Sequence, residues 1–512
     1  MNRNALLCLC TLLLLFGCHK DAEQPSRLEA PGWQTSDPLT KAEIDQLIRE
    51  QTKNNDIFHW SSTTDHVLWS AGMQGEQVYA IGYKPATESQ IEDRIHEIDT
   101  DDAAWVASRE KIIQLILEAE RLARPGEEIT EKDILPSEER KVLPVIIAKI
   151  SSPVAIQQLR SMKDEIRYLD PIGYRMETAD LRGNEGCGGA SPDNINPADF
   201  QTTAPNAKIP WNYNFMNIPQ AWSRSTGSGI KVALIDTGVY PNQSKLGSQF
   251  NSGYSSGRSI QKAGTYTSSW WWWARPDGPN DRCGHGTQMA GLIAAPRSTS
   301  GSSVGVAYNC NLLSIRGTGD VVIGSWREID GVSDALVIAG NDGAVKIVSM
   351  SLGDIFYHGE VADAVRYAYN RGKMIFAAAG TSTSFTNWVG VTFPATMSET
   401  VAVTGVEDSQ NLQYCNTCHY GRQVDFVAVM QRANDGDRTS ITLSSSGNTP
   451  NYVGGSSAAT AITAGIAALV WSTNPGMNRT TVMNKLKNAA SIYPNRNSRY
   501  GWGLIDANAA VQ

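Results

Sequence analysis

Ile230-Lys231-Val232-Ala233-Leu234-Ile235-Asp236-Thr237-Gly238 is a nearly unbroken apolar run that ends on Asp-Thr-Gly. A run of this length bounded by a turn reads as a strand buried on both faces, the kind that belongs to a parallel sheet. Val345–Met350, Met374–Ala379 and Val401–Thr404 read the same way, with helical stretches and Gly-rich turns between them. Strands that alternate with helices predict an α/β unit from about Trp211 onward: a doubly wound, mostly parallel sheet flanked by helices, with ligands at the strand ends.

Three motifs fall at such ends. Asp236-Thr237-Gly238 follows a strand, Gly284-His285-Gly286-Thr287 opens a helix, and Gly454-Gly455-Ser456-Ser457-Ala458-Ala459 runs into another. Glycines let backbone approach a substrate closely, and a helix start offers free N–H groups. A serine hydroxyl is a weak nucleophile; it needs a base, and the base needs a carboxylate to fix its tautomer. Asp, His and Ser occur here in the order of one of the three known serine-triad arrangements.

On these residues the stretch from Trp211 to Gln512 resembles the subtilisin-like serine peptidases, the subtilases. Ser349-Met350-Ser351-Leu352-Gly353, Phe393-Pro394-Ala395 and Tyr500-Gly501-Trp502-Gly503 support the likeness. The resemblance implies a serine endopeptidase unit over residues 206–512 in which Ser457 attacks, His285 is base and then acid, and Asp236 orients it. It also implies that backbone at Ser351, Leu352 and Gly353 binds an extended polypeptide as an added strand, and that the Ser457 N–H helps hold the oxyanion. Where the family places an asparagine after Ala-Ala-Gly, this chain has Thr381 after Ala378-Ala379-Gly380, so Thr381 is the oxyanion candidate, with Asn387 as another. That departure leaves open an alternative: a weak or inactive subtilase-like surface protein that binds peptides. The chemistry calls on no cofactor. Structural calcium is common in the family, but no ligand set stands out in this chain.

The 512 residues carry a net charge of −8, with 41% hydrophobic and 19% charged residues. These values exclude a wholly disordered chain and a basic nucleic-acid binder, and no nucleic-acid partner is expected. The charge is divided: residues 19–205 hold 20 Lys+Arg and 34 Asp+Glu, a net of −14, whereas residues 206–512 have a net of +5. Two units with different roles, facing each other, are expected. Within the first unit, 39–142 reads as mostly helical, 143–172 as strand-helix-strand, and 183–210 as a linker rich in Gly, Asn, Pro, Ala and Ser. Subtilases are usually made with an N-terminal propeptide, and 143–172 is similar to part of one. Residues 19–205 are thus read as a propeptide that blocks the cleft, or else as a retained accessory region.

The first 18 residues read as a signal peptide: Arg3, an apolar run from Ala5 to Phe16, then Gly17-Cys18. Leu15-Phe16-Gly17-Cys18 resembles a bacterial lipobox, which makes Cys18 the lipid-bearing first mature residue. It implies an exported, membrane-anchored protein at the outer membrane or cell surface, the alternative being secretion. Five further cysteines, Cys187, Cys283, Cys310, Cys415 and Cys418, are an odd number, and their pairing stays open, including Cys283 with Cys310. Cys415-Asn416-Thr417-Cys418-His419 has the spacing of a c-type haem site but reads better as a local disulfide or thiol pair. Trp270–Trp273 reads as a loop folded on its own domain, or else as an apolar lip beside the cleft or an anchor at a lipid interface.

Overall fold

The structure is a computed structural model that describes residues 37–53, 57–136, 142–176, 187–269, 275–381, 389–409 and 411–512. Residues 1–18 with Cys18, the four tryptophans at 270–273, Asn387 and the start of the 183–210 stretch lie outside the described residues.

The first unit holds α1 (Lys41–Gln51), α2 (Asp65–Gln74), β1 (Val78–Tyr83), α3 (Ala103–Ala123), α4 (Glu131–Ile134), β2 (Val145–Lys149), α5 (Pro153–Ser161) and β3 (Ile166–Pro171). The strand-helix-strand at 143–172 is therefore present, and it gains β1, which lies in the stretch that reads as helical. The three strands form an antiparallel sheet in the order β2-β1-β3. Every residue of β1 is buried, because both of its faces are covered. Tyr79, Ile81 and Tyr83 point into the unit's own core, with Ile44, Leu68, Trp105 and Ile156. Val78 and Ala80 join Val145 and Ile147 against the second unit.

The second unit begins at Cys187. It holds the hairpin β4 (Phe200–Thr203) and β5 (Ala207–Pro210), α6 (Ile218–Ala221), β6 (Lys231–Asp236), β7 (Ile260–Gly264), α7 (His285–Ala294), β8 (Asn311–Arg316) and α8 (Trp326–Asn341). It continues with β9 (Val345–Met350), α9 (Gly359–Asn370), β10 (Met374–Ala378), β11 (Thr400–Glu407), β12 (Phe426–Arg432), β13 (Asp435–Leu443), β14 (Pro450–Val453), α10 (Gly455–Ser472), α11 (Arg479–Asn488) and α12 (Ala507–Ala510). Nine strands form one sheet in the order β14-β13-β12-β11-β10-β9-β6-β8-β7. The pairs from β7 to β12 are parallel and the last two are antiparallel. Strand residues alternate between two cores: Val232, Leu234, Leu312 and Phe376 face α7 and α10, while Ala233, Ile235, Leu313 and Ala377 face α8 and α9. The chain leaves β6 for one side of the sheet and returns to the other at β9, so β6 is the switch strand, and a crevice opens at its carboxyl end. By length and composition α10 alone among the described helices is apolar enough to cross a membrane, and 83% of it is buried inside the protein.

Residues 187–210 are not a free connector, although their composition reads as one. Asp199 is fully buried and accepts hydrogen bonds from Arg432, Arg438 (2.7 and 2.8 Å) and the Tyr452 hydroxyl (2.7 Å). Cys187 is disulfide-bonded to Cys283, and Cys415 to Cys418; Cys310 is buried and unpaired, with burial pushing its thiol pKa up to about 12. The Cys415–Cys418 bond takes both sulfurs that a haem would need.

The units meet on α8 and α9. Arg167 grips Asp363 through two bonds of 2.7 Å, and the Tyr168 hydroxyl adds a third at 2.8 Å. The Gly359 N–H donates to Asp170 at 2.9 Å. Trp326 and Arg327 both reach Glu76, at 3.0 and 3.3 Å. Phe58 adds backbone bonds to Ile355 and Tyr357. Glu76 and Arg327 pair across this seam with the signs that the two net charges suggest, but its closest buried pair runs the other way, with Arg167 on the acidic unit and Asp363 on the basic one. The Asp363 side chain is 0% exposed and that of Arg167 6%. Removing one partner of a buried pair strands the other. In full-length chain carrying Ser457→Ala, Asp363→Ala is expected to cost about 3 kcal/mol, the low end for such pairs because Glu92 still faces Arg167. Urea unfolding measures it, and a loss under about 1 kcal/mol would show that the pair does not hold the seam.

Candidate active site

Strand β6 delivers Asp236 to the crevice, and α7 begins at His285 directly opposite. The His285 Nδ1 lies 2.8 Å from Asp236 Oδ1, which also accepts the Thr237 N–H at 2.7 Å. Burial alone would hold the imidazole neutral, but the Asp236 carboxylate, its hydrogen bond, and the more distant Asp281 and Asp320 outweigh it and raise the His285 pKa above 6.5.

What brings the two motifs together is Asp281, a residue that motif reading passes over. Its Oδ1 accepts from the N–H groups of Cys283 (2.9 Å) and Gly284 (2.8 Å) and from the Thr237 hydroxyl (2.9 Å). Its Oδ2 accepts from the N–H and hydroxyl of Thr287, at 3.0 and 2.6 Å. The available signal is an acidic residue just before a helix start, where carboxylates are favoured. The fit between strand end and helix is tight: a Cβ on Gly286 would stand 2.2 Å from the Gly238 carbonyl oxygen.

Ser457 is the third residue of α10 and half-buried; it lines the same cleft, of about 730 Å³, as His285, Ser351, Gly353 and Thr381. Among the described residues no hydrogen bond joins Ser457 Oγ to the imidazole; such bonds often tighten only when substrate fills the site. Ser351 donates its hydroxyl to the Ser457 carbonyl at 2.9 Å, and Leu352 is buried in the core. Gly353 has its N–H on Val321 O (3.0 Å) and its carbonyl on the Ile323 N–H (3.2 Å). A substrate strand that pairs with this edge must first part it from residues 321–323.

Thr381 stands at the mouth of β10. Its Oγ1 is 3.1 Å from Ser456 Oγ, which also accepts the Gly380 N–H at 3.2 Å. Its backbone is bridged to Cys418, and the His419 N–H donates to Gly380 O at 3.0 Å, so the Cys415–Cys418 loop braces this wall. Gly380 has φ +116°, and a Cβ there would meet His419 Nδ1 at 2.5 Å. Burial pushes the His419 pKa down to about 4, so a neutral ring packs beside the wall. Among the described residues no group of three or more His, Cys, Asp or Glu side chains is placed to hold a metal ion.

A model of the subtilase family matches residues 227–503. The chain is 31% identical to subtilisin Savinase of Lederbergia lenta over 308 residues, which covers 59% of this chain and 99% of that one. It is 29% identical to thermitase of Thermoactinomyces vulgaris over 294 residues, 57% of this chain and 92% of that one. It is 28% identical to an alkaline protease of Alkalihalobacillus alcalophilus over 406 residues, 76% of this chain and 94% of that one. A family match over more than half of the chain, on a mostly parallel α/β sheet flanked by helices, makes this protein a member of the subtilase family and a serine-type peptidase.

Proposed function

We propose that this protein is an exported serine endopeptidase that hydrolyses polypeptides through Asp236, His285 and Ser457, and that it is made as an inhibited precursor. The observation that carries the reading is the 2.8 Å Nδ1–carboxylate bond, which leaves His285 Nε2 for the serine across the shared cleft. His285 takes the Ser457 proton as Oγ adds to the scissile carbonyl, and the imidazolium that forms is stabilised by Asp236. The developing oxyanion takes a hydrogen bond from the Ser457 N–H and one from the Thr381 hydroxyl, which turns away from Ser456. The imidazolium then gives its proton to the leaving amine, and water, activated in turn by His285, releases the acyl group. No step calls on a cofactor.

Residues 19–205 are the proposed propeptide region. In support, the 76% match to the alkaline protease is longer than the peptidase unit, so that relative has a counterpart to part of this region. Arg175 also reaches Gly324 O at 2.8 Å, which puts the end of the first unit beside the segment that lines the cleft. The cut is proposed within 183–210, on the N-terminal side of the segment that Cys187 ties to Cys283, so that this segment stays with the mature enzyme. Two disulfides suit an oxidising compartment outside the cytoplasm. Cys18 is the proposed lipid attachment that tethers the protein to a membrane.

A fluorophosphonate is expected to label the mature enzyme on Ser457, and Ser457→Ala to leave a single uncut precursor; an unlabelled wild type or a processed variant, read by intact mass, would overturn the reading. His285 must be neutral to act as base, so activity rises with pH through a value above 6.5. Asp236→Asn removes the charge that raises it, leaving burial to lower it, and is expected to move this limb to lower pH and cut kcat about 10⁴-fold. Thr381→Val keeps the shape but loses the donor, and a fall of about 10²-fold in kcat at constant KM is expected; unchanged kcat would assign the oxyanion to another group. A Cys18→Ser protein that still partitions with membranes would sink the lipid anchor.

A further inference from the structure

Residues 187–193 follow the first unit in sequence but are built into the second. The Cys187–Cys283 disulfide fastens them two residues before His285. Gly189 donates its N–H to Cys283 O at 3.1 Å, and Ala190 O accepts from the Ser445 N–H at 2.7 Å. The Asp193 carboxylate accepts from Asn451 Nδ2 (2.9 Å) and the Tyr452 N–H (2.8 Å), and Asn451 also donates to Ser191 O (2.8 Å). Gly284 is packed so closely on the segment that a Cβ there would stand 2.8 Å from the Ala190 nitrogen. Gly188 and Ala190 line the cleft with His285, Gln288, Asn451 and Ser457.

The side of the cleft follows from the chemistry. The imidazole that receives the serine proton hands it to the departing amine, so that amine and the residues after it lie on the imidazole's side. The segment is bolted to the loop that leads into His285, whereas Thr381 and Gly353 belong to other walls. Gly188 and Gly189 bring no side chains, and a Cβ at either would meet nothing within 4 Å. We propose that Gly188–Ala190 form the wall of the cleft on the leaving-group side and set which residues follow the scissile bond, with the bare glycines admitting large side chains there. This rests on the triad reading above.

The test is a Gly188→Ala, Gly188→Leu and Gly188→Trp series in otherwise intact chain, profiled by mass spectrometry on a mixed peptide library. Enzyme is matched by fluorophosphonate-titrated active sites. Cleavage before large residues is expected to fall progressively along the series, by at least 10-fold relative to small residues in Gly188→Trp, while preferences for residues ahead of the bond keep the wild-type pattern. A flat profile after the bond, or a change confined to residues ahead of it, overturns the wall while leaving the peptidase standing. A wild type that neither cleaves the library nor takes the fluorophosphonate overturns both.

Discussion

The Asp281 carboxylate accepts five hydrogen bonds, from Thr237, Cys283, Gly284 and, twice, Thr287, in a site closed to water. A buried charge survives only when its lone pairs are satisfied, and the start of α7 supplies N–H groups and a favourable dipole to do so. Because the donors come from both motifs, this one carboxylate sets the distance between the end of β6 and the start of α7. The Asp236–His285 bond, the contact of Gly286 with Gly238, and the disulfide at Cys283 all hang on that distance.

The opposite side of the cleft is governed differently. There Gly380, Thr381 and Ser456 form a short polar ladder, braced from behind by the Cys415–Cys418 loop and a neutral His419. Each wall is completed by a piece of chain from elsewhere, the 187–193 segment on one side and the 415–419 loop on the other. Both pieces carry a disulfide, which narrows the conformations open to an exposed loop.

The doubly wound sheet and the triad motifs were legible because buried parallel strands read as apolar runs and because glycine-flanked Asp, His and Ser sit at their ends. β1 was not legible as a strand: with both faces covered, Val78–Tyr83 lacks the alternation that marks a half-buried strand, and it lies among helices. Asp281 was illegible as a site residue because a carboxylate before a helix is usually only a cap. The tie at Cys187 was hidden because its partner is 96 residues away and the Gly-rich stretch around it has the composition of a connector. The engagement of Gly353 by Val321 and Ile323 depends on how two loops sit, which no local pattern encodes.

Helix α9 starts without a side-chain cap of its own: His358, at the capping position, makes no such bond, and the Gly359 N–H is met instead by Asp170. Without the first unit this helix would begin one bond short, and Asp363 would keep Arg366 at 3.8 Å but lose the two bonds from Arg167. The start of α9 is thus completed from another part of the chain: Asp170 supplies the bond that the helix's own capping position leaves out, and Arg167 adds two more on the following turn.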